Sequence, residues 1–205
     1  MRMKAGGKIM SAEEYKESLR QYQPTVFIDG DRVESVADDP RLAPGIRAVG
    51  VTYDFAQRPE YGGLMLAEQS TSGHTVNRML HINRHTEDLL SKLEAVRLLC
   101  RESGCAQRYL THDALNAIYQ STWRMTNADG ALEYHDRFLT YLHAIQKADL
   151  TLGVAMTDAK GDRSLRPHKQ TNPDTYVHVK ERRSDGIVIR GTKAIVTCGP
   201  YMHEL

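Results

Sequence analysis

The 205-residue chain is long enough to bury about 70% of the surface that it exposes when unfolded, which is sufficient for a hydrophobic core. Its 27 Lys and Arg residues balance 26 Asp and Glu residues, so its charge does not indicate a nucleic-acid partner or an anionic membrane surface. No stretch approaches the roughly 18 apolar residues of a membrane span, and the first residues lack the apolar segment of a signal peptide. With three cysteines, an odd number, the chain is expected in the reducing cytoplasm.

The N-terminal segment carries two local signals. Ser11 followed by Glu14 is a capping-box pattern, which predicts a helix over residues 11–22. Asp29-Gly30 lies between the short segments 26–28 and 32–34, and both residues tolerate the positive φ angles of a tight turn. This second pattern predicts a β-hairpin.

Residues 44–77 are predicted to form two helices and a loop. Apolar residues recur every three or four positions over 44–58, as in an amphipathic helix that ends at a proline. A short helix is expected over 61–67. Residues 69–77 are rich in Ser, Thr and Gly, and we expect them to form an ordered loop.

Three long amphipathic helices are predicted next, over 86–103, 111–125 and 132–147. Thr86 is the expected N-cap of the first, and Gly104 is its expected end. The apolar side chains expected to face the core are Leu89, Leu93, Val96, Cys100, Leu115, Ile118, Trp123, Phe138, Leu142 and Ile145.

The polarity and periodicity of the sequence change after Leu150. Residues 156–174 are polar and aperiodic, and they are expected to form a long structured loop. Apolar and polar residues then alternate over 175–182 and 187–197, which indicates a β-hairpin with a turn at 184–186. The predicted fold class is therefore α+β: a mostly α-helical N-terminal domain over 1–150, then over 151–205 the loop and first strands of an antiparallel β domain. Because one hairpin is marginal alone, the β part is expected either to pack on the helices or, as the favoured alternative, to begin a sheet whose other strands lie beyond Leu205.

Several blocks together resemble the flavoprotein family that joins 4-hydroxybutyryl-CoA dehydratase to 4-hydroxyphenylacetate 3-monooxygenase. The blocks are MSAEEYKESLR, VFIDGDRVESVADDP, AMTDAKGDR, DGIVIRGTKAIVT and the closing HEL, in the family's order and approximate spacing. The resemblance implies an acyl-CoA dehydrogenase-like fold, FAD held between the β domain and the helices, and a homotetramer. It also implies a small-molecule substrate, either an acyl-CoA or a phenol.

The resemblance implies that AMTDAKGDR contacts the flavin. Irregular backbone can offer several N–H groups to a flavin or a pyrophosphate, Gly161 permits close approach, and Arg163 offers a planar cation. Thr197 matches a family threonine that faces the flavin at the end of a strand. An ordinary polar loop with an Asp162–Arg163 ion pair and a simple strand threonine are the alternatives. The expected FAD-binding residues are Met156, Thr157, Asp158, Gly161, Asp162, Arg163, Ile195, Thr197 and Cys198.

In the dehydratase branch of this family, a [4Fe-4S] cluster is held by two cysteines near a helix start and by a later His and Cys. Cys105 matches the first cysteine, and Tyr109 occupies the position of the second. Thiolates are the normal cluster ligands, so Tyr109 departs from the pattern. Cys100 does not restore it, and the remaining ligands would lie beyond Leu205. Cys105 is therefore either an iron–sulfur ligand or a small buried hydrophobe.

The monooxygenase branch uses an Arg, a Tyr and a His to orient its phenol, and the matching positions here are Leu110, Ala114 and Val154. The sequence thus departs from the active-site residues of both branches. The leading hypothesis, which the resemblance of AMTDAKGDR to the dehydratase branch motivates, is an FAD-dependent enzyme acting on a CoA thioester. A two-component phenol monooxygenase and a non-catalytic subunit that needs a partner chain are the alternatives. Weaker candidates are Arg108, Tyr109 and His112 as replacement phenol ligands, His81 and His85 as a zinc pair, and Arg166, His168 and Lys169 as contacts for CoA phosphates.

Overall fold

The computed structural model describes residues 7–105, 108–130 and 132–205. It contains the α-helices α1 (Ala12–Ser18), α2 (Ala43–Gln57), α3 (Gly62–Met65), α4 (Thr86–Ser103), α5 (Tyr109–Asp129) and α6 (Leu132–Ala148). Its strands form three antiparallel hairpins: β1 (Phe27–Ile28) with β2 (Asp31–Arg32), β3 (Leu66–Gln69) with β4 (His74–Asn77), and β5 (His178–Arg183) with β6 (Gly186–Arg190). The fold is thus mixed, with a large helical part and small antiparallel hairpins.

Both N-terminal predictions are confirmed. The Ser11 hydroxyl accepts a hydrogen bond from the Glu14 amide, and the Glu14 carboxylate accepts one from the Ser11 amide. The helix ends at Ser18 and continues as a 3-10 turn to Gln21. Asp29 and Gly30 adopt positive φ angles of 54° and 91° in the turn that joins β1 to β2.

The prediction of a loop over 69–77 is wrong, because β3 and β4 pair there in register from Leu66–Asn77 to Gln69–His74. Buried polar groups stabilise this hairpin, and the Ser, Thr and Gly content of the segment does not reveal them. The Gln69 side chain is fully buried, and its oxygen accepts from the backbone N–H of Ile82. The predicted short helix ends at Met65, where β3 begins.

The three long helices are confirmed, but the buried face of α4 is not the predicted one. Its buried residues are Lys92, Ala95 and Leu99, whereas Cys100 is exposed. The helix has apolar residues on two adjacent faces, and the face that meets α2 and α3 is the one that becomes buried. Four apolar side chains of the long helices are 45% to 51% exposed, although they were predicted to be buried: Leu89, Leu93, Ile118 and Trp123.

The core consists of three clusters of buried apolar side chains. One joins α1 to α2, a second joins α2, α3 and α4, and the third joins α5 and α6 with Leu152. Cys198 and Met202 return from the C-terminal segment to the first cluster, and the Tyr15 hydroxyl donates to the backbone oxygen of Tyr201 at 2.7 Å. The division of the chain into two domains at residue 150 stays a prediction.

The β5–β6 hairpin is confirmed, although its second strand is shorter than predicted. The strand ends at Arg190, and residues 191–197 form an isolated bridge and a turn. Val179 and Ile189 face each other in the register and lie 40% and 62% exposed. Within the described ranges, no helix combines the length and apolar composition that crossing a bilayer requires.

Candidate cofactor site

The two segments that the sequence singles out lie side by side. The Ala194 amide donates to the Thr157 backbone oxygen at 2.8 Å, and the Ala159 amide donates to the Thr192 backbone oxygen at 2.9 Å. An antiparallel bridge joins Asp158 to Lys193 between these bonds. Residues 156–159 and 192–195 therefore form a short two-stranded ladder outside the main hairpins, which we call the 156–195 ladder.

An ion pair between Lys193 and Asp158 stabilises the 156–195 ladder. The Lys193 ammonium lies 2.9 Å from Asp158 Oδ1 and donates to the Met156 backbone oxygen at 3.2 Å. Asp158 also accepts from the Val177 backbone N–H at 3.2 Å, which connects the ladder to the start of β5. The hydrogen bond from Lys193 holds the pKa of the Asp158 carboxyl below its usual range. Lys193 was not among the predicted site residues, because a lysine in an alternating stretch carries no distinguishing signal.

The loop that follows the ladder is braced by Gln170. Its side-chain oxygen accepts from the Asp162 amide at 2.8 Å, and its nitrogen donates to the Asp162 backbone oxygen at 2.8 Å. A Cβ at Gly161 would lie 2.2 Å from Gln170 Oε1, so a larger residue there would displace the Gln170 side chain that braces the loop. The Asp162 carboxylate accepts from the amide and hydroxyl of Ser164, and the described side chains of Asp162 and Arg163 form no ion pair with each other.

Exposed apolar and hydrogen-bonding side chains occur in the ladder and in the residues next to it in sequence. Met156 and Ile195 lie 75% and 83% exposed, and Thr157, Thr197 and Arg163 are also exposed. In the part of the chain that the structure describes, these two hydroxyls and the guanidinium have no hydrogen-bond partner. Ile195 has a φ of 58°, a conformation that costs a β-branched residue free energy and turns its side chain outward.

The Cys198 side chain does not join this exposed surface. Its φ of 62° reverses the chain, and the thiol is buried in the cluster between α1 and α2 beside Tyr201. Burial raises the pKa of the thiol. Only the backbone of Cys198 is therefore available to a ligand, and Thr197 lies in a turn and not at the end of a strand.

Gly191, which follows β6, packs directly against the backbone of Tyr176 and Val177. Its φ is 148°, and an added Cβ would lie 2.5 Å from the Tyr176 backbone oxygen. We expect Gly191→Ala to lower the free energy of unfolding by about 2–3 kcal/mol, because both the backbone angle and the contact become strained. Urea unfolding measures the difference. Gly186→Ala is the matched control, since a Cβ there meets no atom within 4 Å; equal losses for the two variants would contradict this account.

The predicted metal ligands do not gather into a site. Cys105 is exposed, which contradicts its alternative role as a buried hydrophobe. Tyr109 begins α5 and packs against the second core cluster. No group of three or more His, Cys, Asp or Glu able to hold a metal is found among the described residues. His81 is buried beside Asp88 at 3.4 Å, while His85 caps α4, so the two histidines form no zinc pair.

Arg108 and His112 have structural contacts that do not suit them as phenol ligands. The Arg108 guanidinium is fully buried, donates to Asp149 at 2.9 Å and lies 4.3 Å from the centre of the Tyr53 ring. His112 is also buried, with its Nδ1 3.0 Å from the Arg78 backbone oxygen. Arg166, His168 and Lys169 lie exposed at the 3-10 turn that follows the Gln170-braced loop.

The comparisons with known proteins agree with the fold. A family model described as the N-terminal part of 4-hydroxyphenylacetate 3-hydroxylase matches residues 11–205. The chain is 40% identical over 197 residues to the 4-hydroxybutyryl-CoA dehydratase/vinylacetyl-CoA-Delta-isomerase of Clostridium aminobutyricum, covering 96% of this chain and 40% of that protein. It is 26% identical to the oxygenase component of 4-hydroxyphenylacetate 3-monooxygenase from Geobacillus sp., covering 95% of this chain and 39% of that protein.

Solved structures give the same picture. The oxygen-tolerant 4-hydroxybutyryl-CoA dehydratase of N. maritimus superposes with a TM-score of 0.88 at 37% identity, covering 96% of this chain and 39% of that one. The oxygenase component of 4-hydroxyphenylacetate 3-monooxygenase, solved with FAD and 4-hydroxyphenylacetate, shares the fold with a TM-score of 0.78 at 23% identity, covering 94% and 39%. The chain thus spans about 40% of the length of these relatives. It belongs to the 4-hydroxyphenylacetate 3-hydroxylase N-terminal family, whose members with similar sequences include dehydratases and monooxygenases.

Proposed function

We propose that this chain forms part of an FAD-dependent enzyme, and that the 156–195 ladder contacts the flavin. The observation that carries the proposal is the pairing of two sequence segments that, with the residues next to them, contain the exposed side chains of Thr157, Thr197 and Arg163, which have no hydrogen-bond partner among the described residues. The structure of the related monooxygenase with FAD supports flavin binding in the family.

The groups on the ladder fit an isoalloxazine dinucleotide chemically. The hydroxyls of Thr157 and Thr197 can donate to flavin carbonyl or ring nitrogen atoms, and the Arg163 fork can bind a carbonyl or a phosphate. Met156 and Ile195 supply apolar surface for a planar ring. Lys193 and Asp158 hold the ladder in place, and Gly161 lets Gln170 fix the adjoining loop. When bound, the flavin would supply the electron-accepting chemistry that none of the amino-acid side chains provides.

The substrate that we propose is a CoA thioester, and the reaction is of the dehydratase type. The 40% identity to the Clostridium dehydratase, against 26% to the Geobacillus monooxygenase, favours this branch. The exposed basic residues Arg166, His168 and Lys169 are positioned beside the braced loop and could meet CoA phosphates. Cys105 alone does not make a cluster site, so the proposal assigns flavin chemistry and no iron–sulfur ligand. An acyl-CoA dehydrogenase-like fold, a homotetramer and a cytoplasmic location belong to the same proposal.

Anaerobic purification of the protein from the cells that make it tests the cofactor. Flavin absorption bands, release of FAD on denaturation and a CoA-thioester-dependent activity are expected. Colourless protein that does not bind added FAD would overturn the proposal. Iron and sulfide analysis of the same sample decides whether a cluster is present, and oxygen uptake that depends on reduced flavin and a phenol would identify the monooxygenase instead.

Removing the free donors of the ladder should weaken flavin retention. We expect Thr197→Val to raise the FAD dissociation constant about fivefold and Arg163→Ala about tenfold, because each loses one hydrogen bond and the second also loses a charge. Fluorescence titration of the apoprotein measures both. Arg182→Ala, at an exposed position of β5, is the control; unchanged affinity in Thr197→Val and Arg163→Ala would show that these two side chains do not contact the flavin.

The third hypothesis, a subunit that needs a partner chain, has one specific observation in its favour. Leu89, Leu90 and Leu93 of α4 lie 45%, 59% and 47% exposed on one helix. Exposed apolar patches of this kind mark surfaces that other protein segments cover. Co-purification of a second polypeptide, together with aggregation of the chain in its absence, would favour this function over the enzyme.

A further inference from the structure

Residues 162–165 form a β-turn in which Arg163 is the first central residue. The Leu165 amide donates to the Asp162 backbone oxygen at 3.1 Å, which is the hydrogen bond that closes a four-residue turn. The Asp162 carboxylate accepts from the Ser164 amide at 2.8 Å, so the aspartate side chain folds back onto the turn that it begins. The Arg163 side chain is exposed on this turn.

The Gln170 side chain holds both ends of this turn. Its oxygen accepts from the Asp162 amide at 2.8 Å, and its nitrogen donates to the backbone oxygens of Asp162 at 2.8 Å and Leu165 at 3.1 Å. The orientation of the amide is fixed, because its oxygen faces a donor and its nitrogen faces two acceptors. One side chain therefore binds the residue before Arg163 and the last residue of the turn.

The packing around Gln170 leaves little room for its side chain to move. A Cβ added at Gly161 would lie 2.2 Å from Gln170 Oε1 and 2.9 Å from Thr175 Cγ2, so both side chains pack against the glycine. Thr175 is held in turn, because its hydroxyl donates to the Asn172 backbone oxygen at 2.9 Å. The three hydrogen bonds of Gln170 thus connect the turn to the segment that leads into β5.

We propose that Gln170 is a positioning residue of the flavin site, which fixes the turn so that the Arg163 guanidinium meets the bound cofactor. This inference rests on the proposed function, in which Arg163 contacts the flavin. Gln170 does not touch the cofactor, since the turn uses its oxygen and both of its N–H groups. Because the turn is ordered before the ligand arrives, binding does not have to order it, and the affinity is higher for that reason.

Limited trypsin digestion of the purified protein without FAD tests whether Gln170 orders the turn. Gln170→Met keeps the length of the side chain and removes its hydrogen-bonding groups. We expect trypsin to cleave after Arg163 about fivefold faster in this variant, because a protease cuts a segment that opens more often. Cleavage after Arg182 in β5 should not change. Gln120→Met, at an exposed position of α5, is the control; equal cleavage after Arg163 in all three proteins would overturn the inference.

Fluorescence titration with FAD then tests whether Gln170 acts through Arg163. Gln170→Met should raise the FAD dissociation constant about fivefold, whereas Gln120→Met should leave it unchanged. In the Arg163→Ala background, Gln170→Met should change the dissociation constant less than about twofold, because the group that it positions is gone. In the Thr197→Val background, the effect should remain about fivefold, since Thr197 lies on the other segment.

The outcomes separate this inference from the proposed function. If the unmodified protein binds no FAD, both are overturned. If it binds FAD and Gln170→Met binds FAD equally well, only the positioning role is overturned. An equal loss of affinity in the Arg163→Ala and Thr197→Val backgrounds would show a general disturbance of the site and would also overturn that role. Should Gln170→Met not fold, Gly161→Ala displaces the same side chain and takes its place in both experiments.

Discussion

Replacement of Arg108 by Met is expected to lower the free energy of unfolding by about 3–5 kcal/mol. The Arg108 side chain is fully buried, donates to Asp149 Oδ1 at 2.9 Å and to the Leu150 backbone oxygen at 2.8 Å, and lies over the Tyr53 ring. Methionine fills much of the same volume but leaves the Asp149 carboxylate buried without its cation. Urea unfolding followed by circular dichroism measures the loss.

The Asp149 environment explains why the loss should be large. Its second carboxylate oxygen accepts from the Met10 amide at 3.1 Å, and its backbone has a φ of 50° at the junction that follows α6. Burial raises the pKa of the Asp149 carboxyl, and the Arg108 guanidinium opposes that shift. One ion pair thus fixes the N-terminal segment, the start of α5 and the end of α6 relative to each other.

Two further variants separate this ion pair from a general effect of losing an arginine. Arg97→Met removes an arginine that is 65% exposed and pairs with Glu94, and it should cost less than about 0.5 kcal/mol. The double variant Arg108→Met with Asp149→Asn removes both charges, and asparagine tolerates the positive φ. It should recover part of the loss. Asp149→Asn alone provides the reference loss in the free energy of unfolding. If the double variant is less stable than Arg108→Met by that same amount, the two side chains are not coupled.

The sequence was sufficient for the elements whose signals are local. The capping box at Ser11, the turn at Asp29-Gly30 and the three long helices depend on neighbours within a few residues, and each is confirmed. The 69–77 hairpin was missed because its stability comes from distant partners. Its buried Gln69 bonds Ile82 and Gln146, and no spacing within the segment reveals those contacts.

The candidate site was only partly predictable for the same reason. The motif AMTDAKGDR identified the segment that contains Thr157 and Arg163, but the pairing with 192–195 and the locking role of Lys193 depend on long-range contacts. On α4, apolar residues occur on two adjacent faces, and contact with α2 and α3 buries the face that contains Ala95 and Leu99. Arg108 was considered only as a ligand, because a sequence does not show that a charged side chain has a buried partner.

Acidification from pH 7.5 to pH 5 is expected to lower the free energy of unfolding by about 2 kcal/mol through His203 alone. His203 is 6% exposed, its Nδ1 accepts from the Thr151 amide at 2.8 Å, and its Nε2 lies 2.8 Å from the Ser18 hydroxyl. The ring must therefore be neutral with its proton on Nε2, since a proton on Nδ1 would face the Thr151 N–H. Burial lowers the pKa of His203 to about 4.

The sign of the effect follows from proton binding. In the unfolded chain, an imidazole takes up a proton as the pH falls below about 6.5, whereas His203 in the folded protein stays neutral until about pH 4. The unfolded state therefore gains the proton first, and stability falls through this window and levels off below it. His112, whose pKa burial also lowers to about 4, adds a second contribution of the same sign.

The variant His203→Asn isolates the contribution of His203. The asparagine oxygen can accept from the Thr151 amide in place of Nδ1, but it cannot take up a proton. Urea unfolding at pH 7.5 and at pH 5 should show that the variant loses about 2 kcal/mol less than the unmodified protein, even if it is less stable at the higher pH. His168→Asn removes an exposed histidine and is the matched control. Asp149 and His112 remain in all three proteins, so their own titrations cancel in the comparison. Equal losses of unfolding free energy in His203→Asn and in the unmodified protein would show that His203 is protonated equally in the folded and unfolded states.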